Sequence, residues 1–550
     1  MSDMLRDARL DRRRWSFTPR ARLPDARHLP ATRRGVTSLW QMGASLALLC
    51  LALYMLLAAG GGTSLDGGVM YDTTKAIVDR HTLALPPHHH GLPDAHRTFF
   101  YSKYGLAQSV AEIPLYVVGK AVAAPLAPNL ARVTPMAITM LTNGVITAAA
   151  VWLFFLLAYE VCGAVRGAAI AALLLGLASP YLVYAKTDFS ESLSALGLTG
   201  AVLFLVRARR EPAIARFAVS GLFVALALLT KLTAGFALPF LLIYAVYAAR
   251  APDADGARPP GADVAVRFVE WGLGAALGLA VTAWYDLVRF GSITNTGYHG
   301  QDTPFNAPLW PGLEGLLVSP GKGLLLFCPL VVLVLPLWPL LMRRRRAEAL
   351  LALGIAAITL LVFATYPVWW GGVCWGPRYL VPVLPFILLP LAFFGEAFDR
   401  LKARPRGLLM RRVAVVVVGL SLVAQALGVA VHPGRFEAAG VSEETFIWTP
   451  LASPLLGNAW LLGHDVLGNA DRNQLVVFPW RSPGGTSASQ RVAIDGWTYW
   501  WWTGLGRYGL HPPASLLLTL PLLLLLALAA WRVQRLMMSV APRLLTAPPP

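Results

Sequence analysis

Asp66 lies in a stretch that gathers charge inside a very apolar chain. The segment "SLDGGVMYDTTKAIVDRHTLAL", residues 64–85, follows the first long apolar run and contains Asp66, Asp72, Lys75, Asp79 and Arg80. A carboxylate beside an apolar wall tends to have a raised pKa, which suits a general base. Asp66 is therefore a candidate catalytic base, with Asp72 as a second candidate. The alternative is that both are ordinary solvated acids of a loop.

Three basic residues stand in motifs that could bind a phosphate. Lys103 lies among aromatics in "FFYSKYGLAQS" (99–109), Lys322 lies in the glycine-flanked turn of "SPGKGLLLFCP" (319–329), and Arg378 lies in "VWWGGVCWGPRYLVP" (368–382). The turn at Lys322 lacks the spacing of a nucleotide-binding phosphate loop. Arginine forks well onto phosphate oxygens. For Lys103 and Arg378 the alternative is a long cationic side chain that reaches from an apolar surface to the membrane interface.

Polar and aromatic neighbours of these residues could line a substrate cavity. Trp370 and Trp375 stand near Arg378 and could stack on a sugar ring, and Tyr104 follows Lys103. In "YAKTDFSES" (184–192), Asp188 and Glu191 have the i,i+3 spacing that places two side chains on one helical face. That pair could form a cavity wall. The alternative is a simple helix start, with Thr187 or Asp188 as the N-cap.

Composition places these motifs in a membrane protein. The chain has 550 residues, of which 56% are hydrophobic and 14% charged, which is typical of a chain that crosses a bilayer many times. The net charge of +18 could suggest nucleic acid, but cytoplasmic loops that follow the positive-inside rule explain it better. The four cysteines are scattered, and no Cys/His spacing indicates a metal site.

The apolar runs predict an all-α polytopic bundle of about twelve transmembrane helices. The stretch 217–249, broken only by Lys231, is interpreted as a hairpin of two short spans with Lys231 at the turn. The other spans are predicted near 39–59, 133–159, 167–185, 189–206, 271–288, 323–342, 349–366, 379–396, 413–431 and 514–531. An even number of spans puts both termini on the same side of the membrane.

The distribution of basic residues predicts cytoplasmic termini. This orientation places 31 of the 47 Lys and Arg residues inside. It divides the chain into a basic tail (1–38), a transmembrane module (39–431) with outer loops 60–132 and 286–322, an extracytoplasmic segment (432–512), and a last span with its tail (513–550). The run 105–128 is predicted to lie on the outer surface as an amphipathic helix. Most acids then face the outside, where no ATP or nucleotide sugar is available.

The motifs in their order resemble one enzyme family. "DGG-VMY", "FYSKYG-AQS", "TDFSE", "SPGKGL" and "WWGG-CWGPRYLVPVLP", spread over about residues 40–400, resemble bacterial polyprenyl-phosphate-dependent glycosyltransferases. These belong to the C-type (GT-C) superfamily, with the protein O-mannosyltransferases of family 39 and the lipid A aminoarabinose transferases. The resemblance implies that Asp66 is the catalytic base and that Lys103 and Arg378 contact the donor phosphate. Related sequences usually carry Asp-Gly-Glu where this chain has Asp66-Gly67-Gly68.

The implied reaction is an inverting transfer of one sugar from a polyprenyl-phosphate donor to an acceptor hydroxyl. Glycan, lipid and protein are the acceptor classes, membrane lipids surround the chain, and no nucleic acid is expected. No redox cofactor is needed, and no ligand cluster in the sequence supports a divalent metal. A transporter or flippase, and an inactive scaffold of the same fold, are the alternatives. A transporter would place ionisable residues at mid-membrane and show related halves.

Overall fold

The computed structural model is an all-α protein, as predicted. It describes residues 33–86, 91–93, 99–252, 256–298, 305–401, 407–431, 443–467, 475–477, 491–493, 500–505, 510 and 512–540. Residues 1–32 of the predicted basic tail and about half of the segment 432–512 therefore lie outside the described residues. The fold below is that of the unit Gln41–Pro550.

The first half of the chain supplies eleven described α-helices and a short antiparallel hairpin. The hairpin pairs β1 (Leu92–Pro93) with β2 (Phe100–Tyr101). The helices are α1 (Arg33–Leu57), α2 (Leu65–Arg80), α3 (Leu106–Ala123), α4 (Pro128–Thr139), α5 (Thr142–Cys162), α6 (Val165–Ala178), α7 (Tyr181–Tyr184), α8 (Glu191–Arg210), α9 (Ile214–Thr230), α10 (Leu238–Ala249) and α11 (Gly261–Phe290), with a 3₁₀ helix at Leu232–Ala237.

The second half contains shorter and more broken helices. They are α12 (Leu309–Val318), α13 (Leu324–Phe327), α14 (Leu330–Val334), α15 (Trp338–Arg344), α16 (Arg346–Ala364), α17 (Leu384–Ile387), α18 (Phe394–Arg400), α19 (Gly407–Ala430), α20 (Glu443–Trp448), α21 (Pro454–Leu467), α22 (Trp501–Gly504), α23 (Pro512–Leu517) and α24 (Leu520–Val540). The 3₁₀ helices are Leu335–Leu337, Arg378–Val383, Leu389–Phe393 and Pro450–Ala452, and β3 (Leu475–Val477) pairs with β4 (Arg491–Ala493).

Nine helical segments within the described ranges are long and apolar enough to cross a membrane. They are Leu39–Leu57, Pro128–Cys162, Glu191–Arg210, Leu232–Ala249, Gly261–Phe290, Arg346–Ala364, Arg378–Arg400, Gly407–Ala430 and Ala514–Ser539. The predicted number of about twelve is not confirmed. Of the other predicted spans, α6 has 14 residues, α9 has 17, and 323–342 is divided into short helices at its prolines. The predicted break at Lys231 is confirmed, because α9 ends at Thr230.

The predicted amphipathic segment forms α3, and its polar face points into the protein. Glu112 is buried and accepts hydrogen bonds from Thr74 of α2 and Gln108, each at 3.0 Å. Burial raises the pKa of Glu112 to about 8, which favours the neutral acid at pH 7. On the other face four valines are 45–48% exposed: Val110, Val117, Val118 and Val122. An apolar outer face is what the predicted position on a membrane surface requires.

One sequence expectation about helix start is wrong. Asp188 and Glu191 do not share a helical face, because α8 begins only at Glu191 and its N-cap is Ser190. Asp188 lies in the turn before the helix, and its side chain contacts other partners than the side chain of Glu191 does. The two acids therefore have separate environments, which are described below.

Glycines let α9 and α11 approach closely. Gly274 and Gly278 of α11 are four residues apart and face Gly221 and Ala225 of α9. A Cβ at Gly274 would lie 2.3 Å from the carbonyl carbon of Gly221, whereas a Cβ at Gly272 would meet nothing within 4 Å. Small residues at such a spacing are a common means of packing helices in membranes.

We expect Gly274→Ala to destabilise the protein and Gly272→Ala to leave it unchanged or slightly more stable. The first methyl group forces two helices apart, at a cost of about 1–3 kcal/mol. The second only removes the flexibility of a helical glycine. Thermal unfolding of both variants in the same detergent measures the difference, and equal effects would contradict the close contact.

Candidate active site

Two predicted residues from distant parts of the chain meet in an ion pair. Arg378 Nη2 donates to Asp66 Oδ2 at 2.5 Å, although the residues are 312 positions apart. Asp66 lies in the first turn of α2, whose N-cap Ser64 accepts a hydrogen bond from the amide of Gly67. Arg378 opens the 3₁₀ helix Arg378–Val383 and is only 8% exposed. The arginine is therefore not a side chain that extends to the membrane interface.

A second carboxylate holds the other side of the guanidinium. Arg378 Nε donates to Glu191 Oε1 at 2.5 Å, and Glu191 is completely buried at the start of α8. The guanidinium carbon also lies 3.9 Å from the ring centre of Phe189, in cation–π contact. Arg378 is thus fixed between two acids and an aromatic face.

Lys231 completes a cluster of two acids and two bases. Its Nζ donates to Glu191 Oε1 at 2.5 Å, so that this oxygen accepts from both cations. The sequence interpretation placed Lys231 only at a turn. The one available signal was its position as the single charge in the 33-residue apolar stretch. A charge at such a place is stable only with a partner, but the partner could not be read from the sequence.

Tyr104 joins the cluster through Asp66. Its hydroxyl donates to Asp66 Oδ1 at 2.6 Å, so that each carboxylate oxygen has one partner among these residues. Arg289 holds the segment that carries Tyr104, because its Nη1 donates to the carbonyl oxygens of Ser102 and Tyr104. Arg289 pairs in turn with Asp286. No feature of the sequence indicated this supporting role.

The electrostatics of Asp66 differ from expectation. Burial alone raises the pKa of its carboxyl, but the charge of Arg378 and the hydrogen bonds from Tyr104 and Arg378 outweigh burial and hold the pKa below its ordinary value. The prediction of a raised pKa is therefore wrong for the protein without substrate. Asp66 is ionised at neutral pH, which a base requires, but it is a weak one in this state.

Asp188 anchors the backbone ahead of α2. Its carboxylate accepts four hydrogen bonds, from the amides and hydroxyls of Thr63 and Ser64, at 2.6–3.3 Å. It is 3% exposed and fixes the turn that precedes Asp66. The structure thus gives Asp188 a positioning contact, whereas the sequence suggested a cavity wall.

Lys322 holds the glycine-rich loop ahead of Arg378. Its Nζ donates to the carbonyl oxygens of Gly372 (2.6 Å) and Cys374 (2.8 Å) and to Sγ of Cys374 (3.3 Å). These contacts use all three ammonium protons, and the side chain is buried. Gly371, Gly372 and Gly376 have φ of +77°, +71° and +62°, which only glycine adopts readily. Lys322 orders this loop, and its predicted phosphate contact stays a prediction.

The remaining candidate residues are two charged side chains and two tryptophans. Lys103 Nζ lies 5.1 Å from the ring centre of Tyr298 and 5.9 Å from that of Tyr104. Asp72 is six positions after Asp66, about 240° round the axis of α2 and so on another face. Trp375 is only 2% exposed and packs edge-on against Phe327, so its faces are covered in this state. Trp370 is half-buried and packs edge-on against Trp369.

The chemistry of the cluster is that of ion pairs. In the part of the chain that the structure describes, no group of three or more His, Cys, Asp or Glu side chains could hold a metal ion. What the cluster offers is an ionised carboxylate, a hydroxyl and two cations at one place. Such groups can accept a proton and stabilise a negative charge.

Comparisons with known proteins find structural relatives only. No family model and no curated protein sequence matches the chain. The structure is similar to ArnT from Cupriavidus metallidurans bound to undecaprenyl phosphate, at 14% identity over 92% of this chain and 76% of that chain, with a TM-score of 0.47. It is also similar to the archaeal oligosaccharyltransferase AglB from Archaeoglobus fulgidus in complex with an inhibitory peptide and a dolichol-phosphate, at 13% identity, with a TM-score of 0.45.

The match with AglB covers 75% of this chain but only 59% of that chain, less than two thirds of its length. Likenesses of this size concern the course of the backbone and assign no role to any residue.

We expect Gly67→Ala to destabilise the protein and Gly68→Ala to be tolerated. A Cβ at Gly67 would lie 1.9 Å from Cγ of Asp188, so the anchor of the turn must move. A Cβ at Gly68 would meet nothing within 4 Å. The expected cost at Gly67 is about 1–3 kcal/mol, measured by thermal unfolding in detergent. A tolerated Gly67→Ala would show that Asp188 does not hold this turn as described.

Proposed function

We propose that this protein is a membrane glycosyltransferase that moves a sugar from a polyprenyl-phosphate donor to an acceptor hydroxyl. The observation that carries the proposal is the contact of Asp66, Arg378 and Tyr104, which brings together three of the sequence motifs. The catalytic module is proposed to be residues 39–431, as the motifs suggest. The identity of the sugar and of the acceptor is left to a screen of donors and acceptors.

Asp66 is proposed as the general base. It takes the proton of the acceptor hydroxyl while that oxygen attacks the anomeric carbon. The bond between the anomeric carbon and the phosphate oxygen breaks, and the lipid phosphate leaves. Attack from the side opposite to the leaving group inverts the configuration of the sugar. Asp66 then carries the proton and releases it to solvent.

Arg378 and Lys103 are proposed to bind the donor phosphate. Arg378 uses one N–H on each nitrogen for Asp66, Glu191 and Gly371, which leaves one N–H on each terminal nitrogen for an incoming oxygen. The phosphodiester of the donor carries one negative charge, and the departing phosphate monoester carries nearly two. The cations therefore stabilise the leaving group more than the bound substrate, which is the requirement for catalysis.

Donor binding should also make Asp66 a better base. The donor phosphate would place a further negative charge beside the Asp66–Arg378 ion pair. A nearby like charge raises the pKa of a carboxyl. The low pKa of Asp66 in the free protein would therefore rise when the donor occupies Arg378.

The site is proposed to open to the outer face of the cell membrane, with both termini in the cytoplasm. Glycan, lipid or protein acceptors would then reach it from outside, and the donor would come from the lipid phase. The distribution of basic residues in the sequence supports this orientation.

We expect a cysteine at Gly91, in the first outer loop, to react with a membrane-impermeant maleimide added to intact cells. A cysteine at Ala213, exposed between α8 and α9 on the proposed cytoplasmic side, should react only after the cells are opened. The wild type, with its own four cysteines, gives the background. Labelling at Gly91 only in opened cells would reverse the orientation.

We expect Asp66→Asn to lower sugar transfer by about 10²–10⁴-fold, the range for loss of a general base. Asparagine keeps the shape and a hydrogen-bond acceptor for Arg378, so the fold should persist. Asp72→Asn, on another face of the same helix, is the matched control and should change transfer far less, because its side chain does not face the cluster. Transfer is measured with purified protein and a panel of polyprenyl-phosphate sugars, and folding by thermal unfolding.

The two variants separate the competing interpretations. If Asp72→Asn abolishes transfer and Asp66→Asn does not, the base is Asp72. If the wild type transfers no sugar from any donor, a lipid transporter or an inactive scaffold becomes the better interpretation.

A further inference from the structure

A small cavity lies next to the charged cluster. It is bounded by α8, α16 and the 3₁₀ helices Leu232–Ala237 and Arg378–Val383. The residues that matter for its chemistry are Glu191, Ser194, Lys231, Thr359, Phe363 and Tyr379. Asp66 is not among its lining residues, so the cavity is a space beside the proposed base and not the place of the base itself.

The wall of this cavity contains an acceptor without a donor. Glu191 is fully buried, and its Oε1 accepts from both Arg378 and Lys231. Its Oε2 has no hydrogen-bond partner among the described residues. A buried carboxylate oxygen left without a partner costs free energy, so a site that keeps one calls for a ligand that donates to it.

The same wall contains donors without an acceptor. The one hydrogen bond of the Lys231 ammonium group to a described residue goes to Glu191 Oε1, and this group lies 6.0 Å from the ring centre of Tyr379. An ammonium group has three protons, so two remain for a ligand. The side chain of Lys231 is 20% exposed, which leaves room for an atom to approach it.

An open acceptor beside open donors selects the chemistry of the ligand. A phosphate only accepts hydrogen bonds and would be repelled by the Glu191 carboxylate. An ammonium group only donates and would be repelled by Lys231, and a lipid tail does neither. A hydroxyl group both donates and accepts and carries no charge. The stacked rings of Phe363 and Tyr379, 4.3 Å apart, add an apolar wall of the kind that sugar C–H groups contact.

We propose that this cavity binds hydroxyl groups of the sugar on the donor lipid, with Glu191 Oε2 as acceptor and Lys231 as donor. The inference rests on the proposed function and deepens it, because it assigns a sugar subsite separate from the phosphate contact. The two subsites adjoin, since Glu191 Oε1 accepts from Arg378, which is proposed to hold the phosphate. The cavity is small, so it takes the hydroxyl-bearing edge of the sugar and not the whole donor headgroup.

The test compares two lipids on two variants. The probes are a polyprenyl phosphate without sugar and the same lipid carrying glucose, mannose or 4-amino-4-deoxyarabinose. The variants are Lys231→Met, which removes the ammonium and leaves Glu191 paired with Arg378, and Lys103→Met, which removes a proposed phosphate contact. Affinities are measured for purified protein in nanodiscs, and thermal unfolding checks that each variant is folded.

Lys231→Met should weaken binding of a sugar-carrying lipid about tenfold or more, the value of a hydrogen bond to a charged group. Its affinity for the bare lipid phosphate should fall by a clearly smaller factor, because that lipid loses only the more distant charge of Lys231 and no hydrogen bond. Lys103→Met should weaken both lipids by the same factor. A Lys231→Met variant that weakens both lipids equally, or neither, overturns the sugar subsite.

A second measurement avoids the need for a stable variant. Wild-type protein is tested with donors in which single sugar hydroxyls are replaced by hydrogen. One deoxy position should lose about tenfold in affinity, and Lys231→Met, where it folds, should add no further loss at that position. Equal affinity of all deoxy donors overturns the inference. Failure of the wild type to bind any of these lipids would overturn the proposed function instead.

Discussion

The guanidinium of Arg378 is the constraint on which the site depends. A cation that is 8% exposed must be paired, because removal of one partner of a buried ion pair costs about 3–5 kcal/mol. Asp66 and Glu191 supply that pairing from the start of α2 and the start of α8. The second acid, Glu191, adds a buried negative charge that needs a further cation. Lys231 is that cation. Residues 66, 191, 231 and 378 lie in four separate segments of the chain. Their ion pairs hold these segments in contact, and the surrounding helices must pack in a way that permits this contact.

Several polar residues that looked like substrate contacts serve the backbone instead. Lys322 satisfies two carbonyl oxygens of the loop ahead of Arg378, and Asp188 satisfies two amides ahead of α2. Arg289 does the same for the carbonyls around Tyr104. Irregular backbone is needed to aim side chains into a site, yet near a membrane there is little water to satisfy its polar groups. Charged side chains that bind backbone are therefore expected one layer behind the charges that face a substrate.

The sequence selected residues that the fold brings together, but it could not show their environment. Asp66, Tyr104, Glu191 and Arg378 come from separate motifs and lie in one cluster, while their roles stay predictions. The apolar runs were enough to predict an all-α membrane bundle. The pKa of Asp66 was predicted in the wrong direction, because the sequence indicated only the burial of its carboxyl. Its main partner lies 312 positions away in the chain. Lys231 was placed at a break between two helices, which is confirmed, but its ion pair with Glu191 depends on tertiary packing. Hydropathy also could not show that prolines divide 323–342 into short helices.

The balance of charge links binding to chemistry in this site. In the free protein, Asp66 is held by Arg378 and Tyr104 and has a low pKa, so it has little tendency to take a proton. In the proposed mechanism, the donor phosphodiester accepts from the remaining N–H groups of Arg378 and adds a negative charge close to Asp66. Donor binding would then raise the proton affinity of the proposed base. In this proposal the two acids and two bases keep the empty site neutral and stable. Its proton affinity rises only when the anionic donor binds.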